Sequence, residues 1–440
     1  MKLAAAVLLA LAACSAPAYP AEPVTSTSTT TARPRLVLVS IDGMMPDVIP
    51  SAPTLRGLAH RGASARIEPV FPTVTYPSHT TIVTGVPPRL HGITRNRPVD
   101  PLDKNFGGWH WYAEDITAPT LWQVALARKR TVALVTWPVT VGAKATFVVP
   151  EYWRSGSVDD QKLLRALSTP GLLDNVAREF PALWTHLVPP DVHDDAQFAI
   201  ARYLVAHEDV DVLLVHAWGL DDAQHAHGPG SPEAASALAH ADALLGDLVA
   251  LIERTPGWDR TTLAVVSDHG FARVDHEVRL NALFAKHGLI QLDADGKTTA
   301  ARVAVVGNGG SAFIYVLDPT ARPEVDRALA ELGPIIGQRF EHAAIVDAGG
   351  DPTATLAVAA APGYAFDDVR TGAIVRDVAP KGNHGYPPSD PAMAAAFVAV
   401  GPGIAHRDLG TVRMIDIAPT LAQQIDVPLP SAVGHAITLR

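Results

Sequence analysis

Cysteine is nearly absent from this chain. The 440 residues contain one, Cys14, so no internal disulfide can staple the fold. Basic residues are also short: 35 Lys and Arg stand against 45 Asp and Glu, a formal net charge of −10. That sign of charge lacks the basic footprint of a nucleic-acid binder, and no nucleic-acid partner is expected. If the protein acts on phosphates, local positive charge must come from elsewhere, and a bound metal is one source. There is no phosphate loop of the GxxxxGK type, and no internal repeat. Long apolar runs are missing as well. The run from Leu3 to Ala13 falls short of the roughly 20 residues a membrane-spanning helix needs, and no second such span is read. What remains is 48% hydrophobic and 18% charged, an ordinary globular composition with material for a large core.

The N-terminus, MKLAAAVLLALAAC, places Lys2 before the apolar run and reads as a signal peptide over 1–13. Leu11-Ala12-Ala13-Cys14 is similar to a bacterial lipobox, which implies lipidation of Cys14 and a mature chain starting there. Residues 14–34, with TSTSTTTARP at 25–34, then read as a tether. The alternative is cleavage at a small-residue site and a secreted protein. Either reading predicts export, to a bacterial envelope or periplasm, with membrane contact only through the anchor.

From residue 35 onward, short β-branched runs alternate with helix-like stretches. Strands are predicted at 35–41, 131–137, 211–217, 261–267, 312–317 and 394–400, and helices near 52–61, 119–129, 195–207, 232–253, 323–332 and 414–425. This alternation predicts an α/β fold with a mostly parallel sheet covered on both faces. The stretch 138–192 is rich in Pro and Trp, is weakly periodic, and reads as an insertion or lid. Residues 271–390 read as containing long irregular pieces, a small subdomain returning His384 to the core. No linker divides the chain, so 35–430 is taken as one composite domain, followed by a tail at 431–440.

The stretch FPTVTYPSHTT (71–81) poses a chemical question. A threonine hydroxyl is a poor nucleophile near neutral pH, so either Thr75 merely starts a helix or something activates it. Candidate strands across the chain end in metal-ligand residue types. The first gives Asp42-Gly43, another leads to Asp221-Asp222-Ala223-Gln224-His225, and a third ends in Asp268-His269-Gly270. KGNHGYPP adds His384. Asp221 and His225, four apart, would share one face of a helix. Each feature alone has a plain explanation: a turn, a capped loop, a solvated helix face. Their recurrence at strand ends favours metal sites built from carboxylate oxygen and imidazole nitrogen, enough for two ions.

In order, SIDG, FPTVTYPSHTTIVTG with HGI at 91–93, LDDAQHAHGP, SDHG and GNHGY resemble the nucleotide pyrophosphatase/phosphodiesterase family of the alkaline phosphatase superfamily, from about residue 35 to about 430. The resemblance implies an alkaline-phosphatase-like fold and two zinc ions. One would be held by Asp42, Thr75, Asp268 and His269, the other by Asp221, His225 and His384. It implies Thr75 as nucleophile, its hydroxyl acidified by zinc, a phosphothreonine intermediate, and hydrolysis of a small-molecule phosphodiester or phosphoanhydride. Two positions depart from the pattern. Ser78 stands where the family often has Asn, and would hydrogen-bond a phosphoryl oxygen. His216 stands where an aromatic often meets a nucleobase, leaving Tyr76 as the other aromatic contact. The alternatives are a zinc phosphomonoesterase, with Lys144 and Arg154 nearby in sequence to meet the extra charge, and a non-catalytic zinc-binding lipoprotein.

Overall fold

The run RLVLVSI buries all seven of its residues, because it lies inside a sheet covered on both faces. Val37, Val39 and Ile41 enter the core on one side and Leu36 and Leu38 the core on the other, following the two-residue period of a strand. The structure is a computed structural model that describes residues 33–440 apart from 106, 155–156, 188–193 and 256. The signal peptide, Cys14 and nearly all of the tether expected at 1–34 lie outside the described residues.

Among the described residues, the main sheet has eight strands: β1 (Arg35–Ile41), β2 (Ala63–Glu68), β3 (Val132–Val135), β4 (Phe147–Val149), β5 (Val212–Ala217), β6 (Thr261–Val266), β7 (Ala395–Val400) and β8 (Arg407–Arg413). Their order is β8-β2-β7-β6-β1-β5-β3-β4. Strand β7 runs antiparallel to both its neighbours, while every other pairing is parallel. The sheet is thus mostly parallel, as the sequence pattern predicts. The six predicted helical stretches appear as Pro53–Arg61, Leu121–Ala127, Asp194–His207, Pro232–Arg254, Arg322–Ala330 and a short 3-10 turn running into Ile417–Gln424. Pro232–Arg254 is long and apolar enough, by length and composition, to cross a membrane. Here it packs Leu245, Leu248 and Ile252 into the core, and its Asp242 accepts from the amides of Thr54 and Leu55 at 2.9 Å each.

Four expectations change. Among its described residues the stretch 138–192 is not irregular: it contains β4 and the helices Val158–Leu167, Leu172–Glu179 and Leu183–His186, of ten, eight and four residues, too short to sustain a period along the sequence. The strand expected at 312–317 forms, as Ser311–Val316, but in a separate antiparallel four-stranded sheet with Val303–Gly307, Leu356–Ala360 and Ile336–Glu341. Residues 271–390 also hold a three-stranded sheet of Gly363–Asp367, Ala272–Arg279 and Val375–Asn383, so this region has its own order and its own apolar cluster. Residues 431–440 do not hang free. The amide of His435 donates to Asp416 at 2.8 Å, that of Ile437 donates to Thr420 Oγ1 at 2.8 Å, and Leu439 is buried.

Candidate metal centre and active site

Strand β1 ends at Asp42, and Gly43 turns the chain with φ +68. A Cβ on Gly43 would lie 2.6 Å from the Phe271 ring, so the turn needs glycine. The amide of Gly43 donates to Asp268 Oδ1 at 3.1 Å, and its carbonyl accepts from Gln224 Nε2 at 2.9 Å. At the end of β6, Ser267 Oγ donates to the Met44 carbonyl at 2.6 Å and accepts from Ala396 N at 2.8 Å. Gly270 then passes so close to Ala392 that a Cβ would sit 2.1 Å from its carbonyl oxygen. These constraints let adjacent Asp268 and His269 both face the end of β1. His269 Nε2 lies 3.0 Å from Asp268 Oδ2, 3.4 Å from Asp42 Oδ1 and 3.5 Å from Thr75 Oγ1.

Asp221 sits in the first turn of the helix Gly219–His227. Buried Asp194 caps that turn, accepting from the amides of Trp218 and Gly219 at 3.0 Å each. His225 follows one turn later, its Nε2 3.4 Å from Asp221 Oδ2. His384 arrives at the end of Val375–Asn383. His225 Nδ1 donates to the Gly382 carbonyl at 3.3 Å and His384 Nδ1 donates to the Thr73 carbonyl at 3.1 Å. A carbonyl can only accept, so both rings leave Nε2 as the free lone pair, the tautomer a metal requires. The His384 ring stacks on His269 with centroids 3.7 Å apart, joining the two groups.

Asp42, Asp268 and His269 bring one ligand atom each within 4.8 Å of one another, and so do Asp221, His225 and His384. The inward oxygens Asp42 Oδ1, Asp268 Oδ2 and Asp221 Oδ1 are buried with no hydrogen-bond partner. Three unpaired buried carboxylate oxygens around two imidazole-bearing groups are costly without a cation. Burial pushes the Asp42 carboxyl well above the usual range, with Asp221 adding repulsion, and does the same to Asp268, with Asp42 adding to it. Burial also raises Asp221. It pushes Asp222 up to about 7, helped by the adjacent Asp221. Burial holds His269 and His384 well below the ordinary imidazole value, so both stay neutral and able to ligate. The oxygen–nitrogen donor set fits divalent zinc. A third close group, Asp42 with His79 and His216, is already satisfied. His79 contacts the Thr75 carbonyl at 2.9 Å and Ser40 Oγ at 2.8 Å, and His216 lies between two carboxylates.

Thr75 is the first residue of the helix Thr75–Thr84, preceded by extended Val74. It lines a cavity of about 420 Å³ together with Asp42, Asp221, His225 and His384. The same cavity has a wall that the sequence did not announce: Trp109, Trp153 and Trp218, with ring centroids 5.4 Å apart in the first pair and 6.5 Å in the second. Asn96 and Glu151 also line it. Asn96 Oδ1 accepts from the Tyr76 amide at 2.9 Å. The expected substrate contacts sit differently. Ser78 is fully buried off the cavity, its Oγ without a partner. Tyr76 is buried behind Trp109, its hydroxyl donating to Glu151 Oε1 at 2.7 Å. His216 lines the cavity but is 2% exposed and held at both ring nitrogens. Exposed Lys144 and Arg154 do not line it. Of the three, only Trp153 falls in the Trp-rich stretch 138–192, and half-burial around a cavity leaves no periodic trace for the others.

A model of the type I phosphodiesterase / nucleotide pyrophosphatase family matches residues 36–387. Human ectonucleotide pyrophosphatase/phosphodiesterase family member 5 is 26% identical over 250 residues, covering 55% of this chain and 46% of that protein. Mouse bis(5'-adenosyl)-triphosphatase enpp4 is 26% identical over 280 residues, covering 61% of this chain and 51% of that protein. The chain thus spans about half the length of these curated relatives. Among solved structures, the human family member 5 superposes with a TM-score of 0.65 at 20% identity, covering 92% of this chain and 97% of that one. An inactive form of the murine protein, in complex with AMP, matches with a TM-score of 0.65 at 21% identity, covering 92% of this chain and 97% of that one. These structures share its α/β fold. With the family model spanning most of its length, the chain belongs to the type I phosphodiesterase / nucleotide pyrophosphatase family.

Proposed function

We propose that this protein is a two-zinc hydrolase that cleaves phosphodiester or phosphoanhydride bonds through a phosphothreonine on Thr75. One observation carries the reading: the Thr75 hydroxyl opens a helix at the point where the two ligand groups and the cavity meet. Asp42, Asp268 and His269 would hold one ion with Thr75, and Asp221, His225 and His384 the other. Bound there, the ions would acidify the threonine hydroxyl and offset charge on the phosphoryl oxygens. Thr75 Oγ1 attacks phosphorus as the bond to the leaving oxygen breaks, and water then hydrolyses the phosphothreonine and restores the hydroxyl. Asn96 is held through its Oδ1, which leaves its amide NH2 to donate to a phosphoryl oxygen in the cavity. Backbone amides at the start of the helix favour the same anion.

The wall of Trp109, Trp153 and Trp218 suits a planar group, so nucleotide-type diesters lead the candidates and lipid head groups follow. Among the described residues no lysine or arginine lines the cavity, and Asp222 adds an acid to it. That set suits a singly charged diester better than a doubly charged monoester. The test compares the zinc-loaded protein on a nitrophenyl nucleoside monophosphate diester and on nitrophenyl phosphate, each with and without chelator. Faster diester turnover that the chelator abolishes is expected. Faster monoester turnover would move the protein to phosphatase chemistry, and two bound zincs with no turnover of either would favour the non-catalytic reading.

Export and lipidation at Cys14 belong to the same proposal and rest on the N-terminal sequence. Cys14→Ala should release the protein from membranes, and unchanged fractionation would remove the anchor.

A further inference from the structure

Glu151 lies just past β4, 3% exposed, in the wall of the cavity. Among the described residues it has no lysine or arginine partner; its one ion-pair contact is His216. A buried carboxylate so placed is costly unless its neighbours satisfy it. Here they do: Tyr76 OH donates to Oε1 at 2.7 Å, and His216 Nδ1 lies 2.9 Å from Oε2. His216 Nδ1 also faces the Thr136 carbonyl at 3.2 Å. Across the ring, His216 Nε2 is 2.9 Å from Asp42 Oδ2. Tyr76, Glu151, His216 and Asp42 therefore form one unbroken file from the helix carrying Thr75 to the end of β1. At the far end, one Asp42 oxygen is taken and the other, Oδ1, has no partner and points at His269.

We infer that Glu151 is a positioning residue: acting through His216, it fixes the Asp42 carboxylate so that Oδ1 alone is presented to a metal held with Asp268 and His269. A free aspartate can swing about its own side-chain torsions. An imidazole clamped between two carboxylates removes that freedom at one oxygen, and such outer partners typically tune metal affinity by about 10–100-fold. Asp221 meets this file at Asp42 and feels the charges of His216 and Glu151, but the hydrogen bonds of Glu151 lead to Asp42 and not to Asp221, His225 or His384. The effect therefore falls chiefly on the ion at Asp42. The inference rests on the metal reading above.

The test titrates metal-free full-length protein with cobalt(II) against a competing chelator, reading both stoichiometry and the cobalt absorption bands. Glu151→Ala should weaken one of the two ions by about 10–100-fold and the other much less. Tyr76→Phe, which removes only the outermost hydrogen bond, should weaken the same ion less. In a His216→Ala background, Glu151→Ala should add nothing, because its route to Asp42 is already cut. A merely structural role would instead lower the melting temperature of the metal-free protein, weaken both ions together and add to His216→Ala. Any of those results overturns the inference, as does full affinity at both sites in Glu151→Ala. Glu151→Gln keeps the side-chain volume and carries the test if the alanine variant does not fold. Wild-type protein that binds no cobalt would overturn the metal reading itself, a failure distinct from that of Glu151.

Discussion

Asp42, Asp268 and His269 stand on the ends of two neighbouring strands, β1 and β6, and all three are buried. Asp221, His225 and His384 come from one nine-residue helix and from the loop that follows an accessory strand, and the His225 side chain is 37% exposed. The first group inherits the rigidity of the sheet and is built before any ion arrives. The second depends on a helix cap, Asp194, and on the accessory region holding its edge strand in place. Two groups with similar ligands therefore differ in how much of their order the ion itself must supply, and the more exposed group should release its ion first under a chelator.

Thr75, which lines the cavity beside residues of both groups, gives the largest effect. Thr75→Ala should cut turnover by about a thousandfold or more while both ions stay bound, and full activity in that variant would remove Thr75 as the nucleophile. Next come the ligands. His225→Ala or His384→Ala should lower the metal content from two ions to one by elemental analysis, with the melting temperature of the metal-free protein little changed. Two ions still bound in His225→Ala would break the assignment of the second group. Asp268→Asn should do the reverse: it costs the first ion, yet it should stabilise the metal-free protein by about 1 kcal/mol or more, since it removes one of several crowded buried charges and keeps an oxygen for the Gly43 amide. Asp221→Asn, at a side chain 14% exposed rather than fully buried, should gain less, and equal gains from the two variants would erase the contrast between the groups.

The smallest effect concerns the helix that presents Thr75. His91 is buried against it, with Thr81 Oγ1 3.0 Å from its Nε2, and burial pushes its imidazole down to about 3. The folded value is below the unfolded one, roughly 6.5, so the unfolded chain binds the extra proton between them. Stability from this residue is present above about pH 6.5 and is lost as pH falls toward about 3, by at most about 1.4 kcal/mol per unit. His91→Gln should flatten that part of the stability–pH curve measured by denaturant unfolding. An unchanged slope would mean His91 is not the group that titrates.

How far the chain could be read in advance tracks burial and period. β1, β5, β6 and β7 are continuous apolar runs and were legible to within a residue or two. β2 and β8 were not: β2 is half-exposed, and β8 at the edge reads RDLGTVR with no apolar face to betray it. The candidate ligands stood out because strand ends in such sheets gather function and because Asp and His recur there. The three tryptophans, Asn96 and Glu151 were not, since each earns its place only through neighbours distant in sequence. Ser78 shows the converse: the family resemblance implied a phosphate contact there, and the structure buries its side chain in the core instead.

The reversed strand β7 sits between β2 and β6 in the middle of the main sheet. A chain emerging from its N-terminus has β2 and β6 long before residue 395 exists, and until then β6 has an open edge while β2, whose partners are β7 and β8, has no place in the sheet. Such non-local closure is slow, and open edges invite pairing with other chains. A chain halted just short of β7 would already carry every proposed ligand from Asp42 to His384, yet it would have no closed sheet to hold them in register. Completion of the centre is thus timed by a strand that contributes no ligand to it.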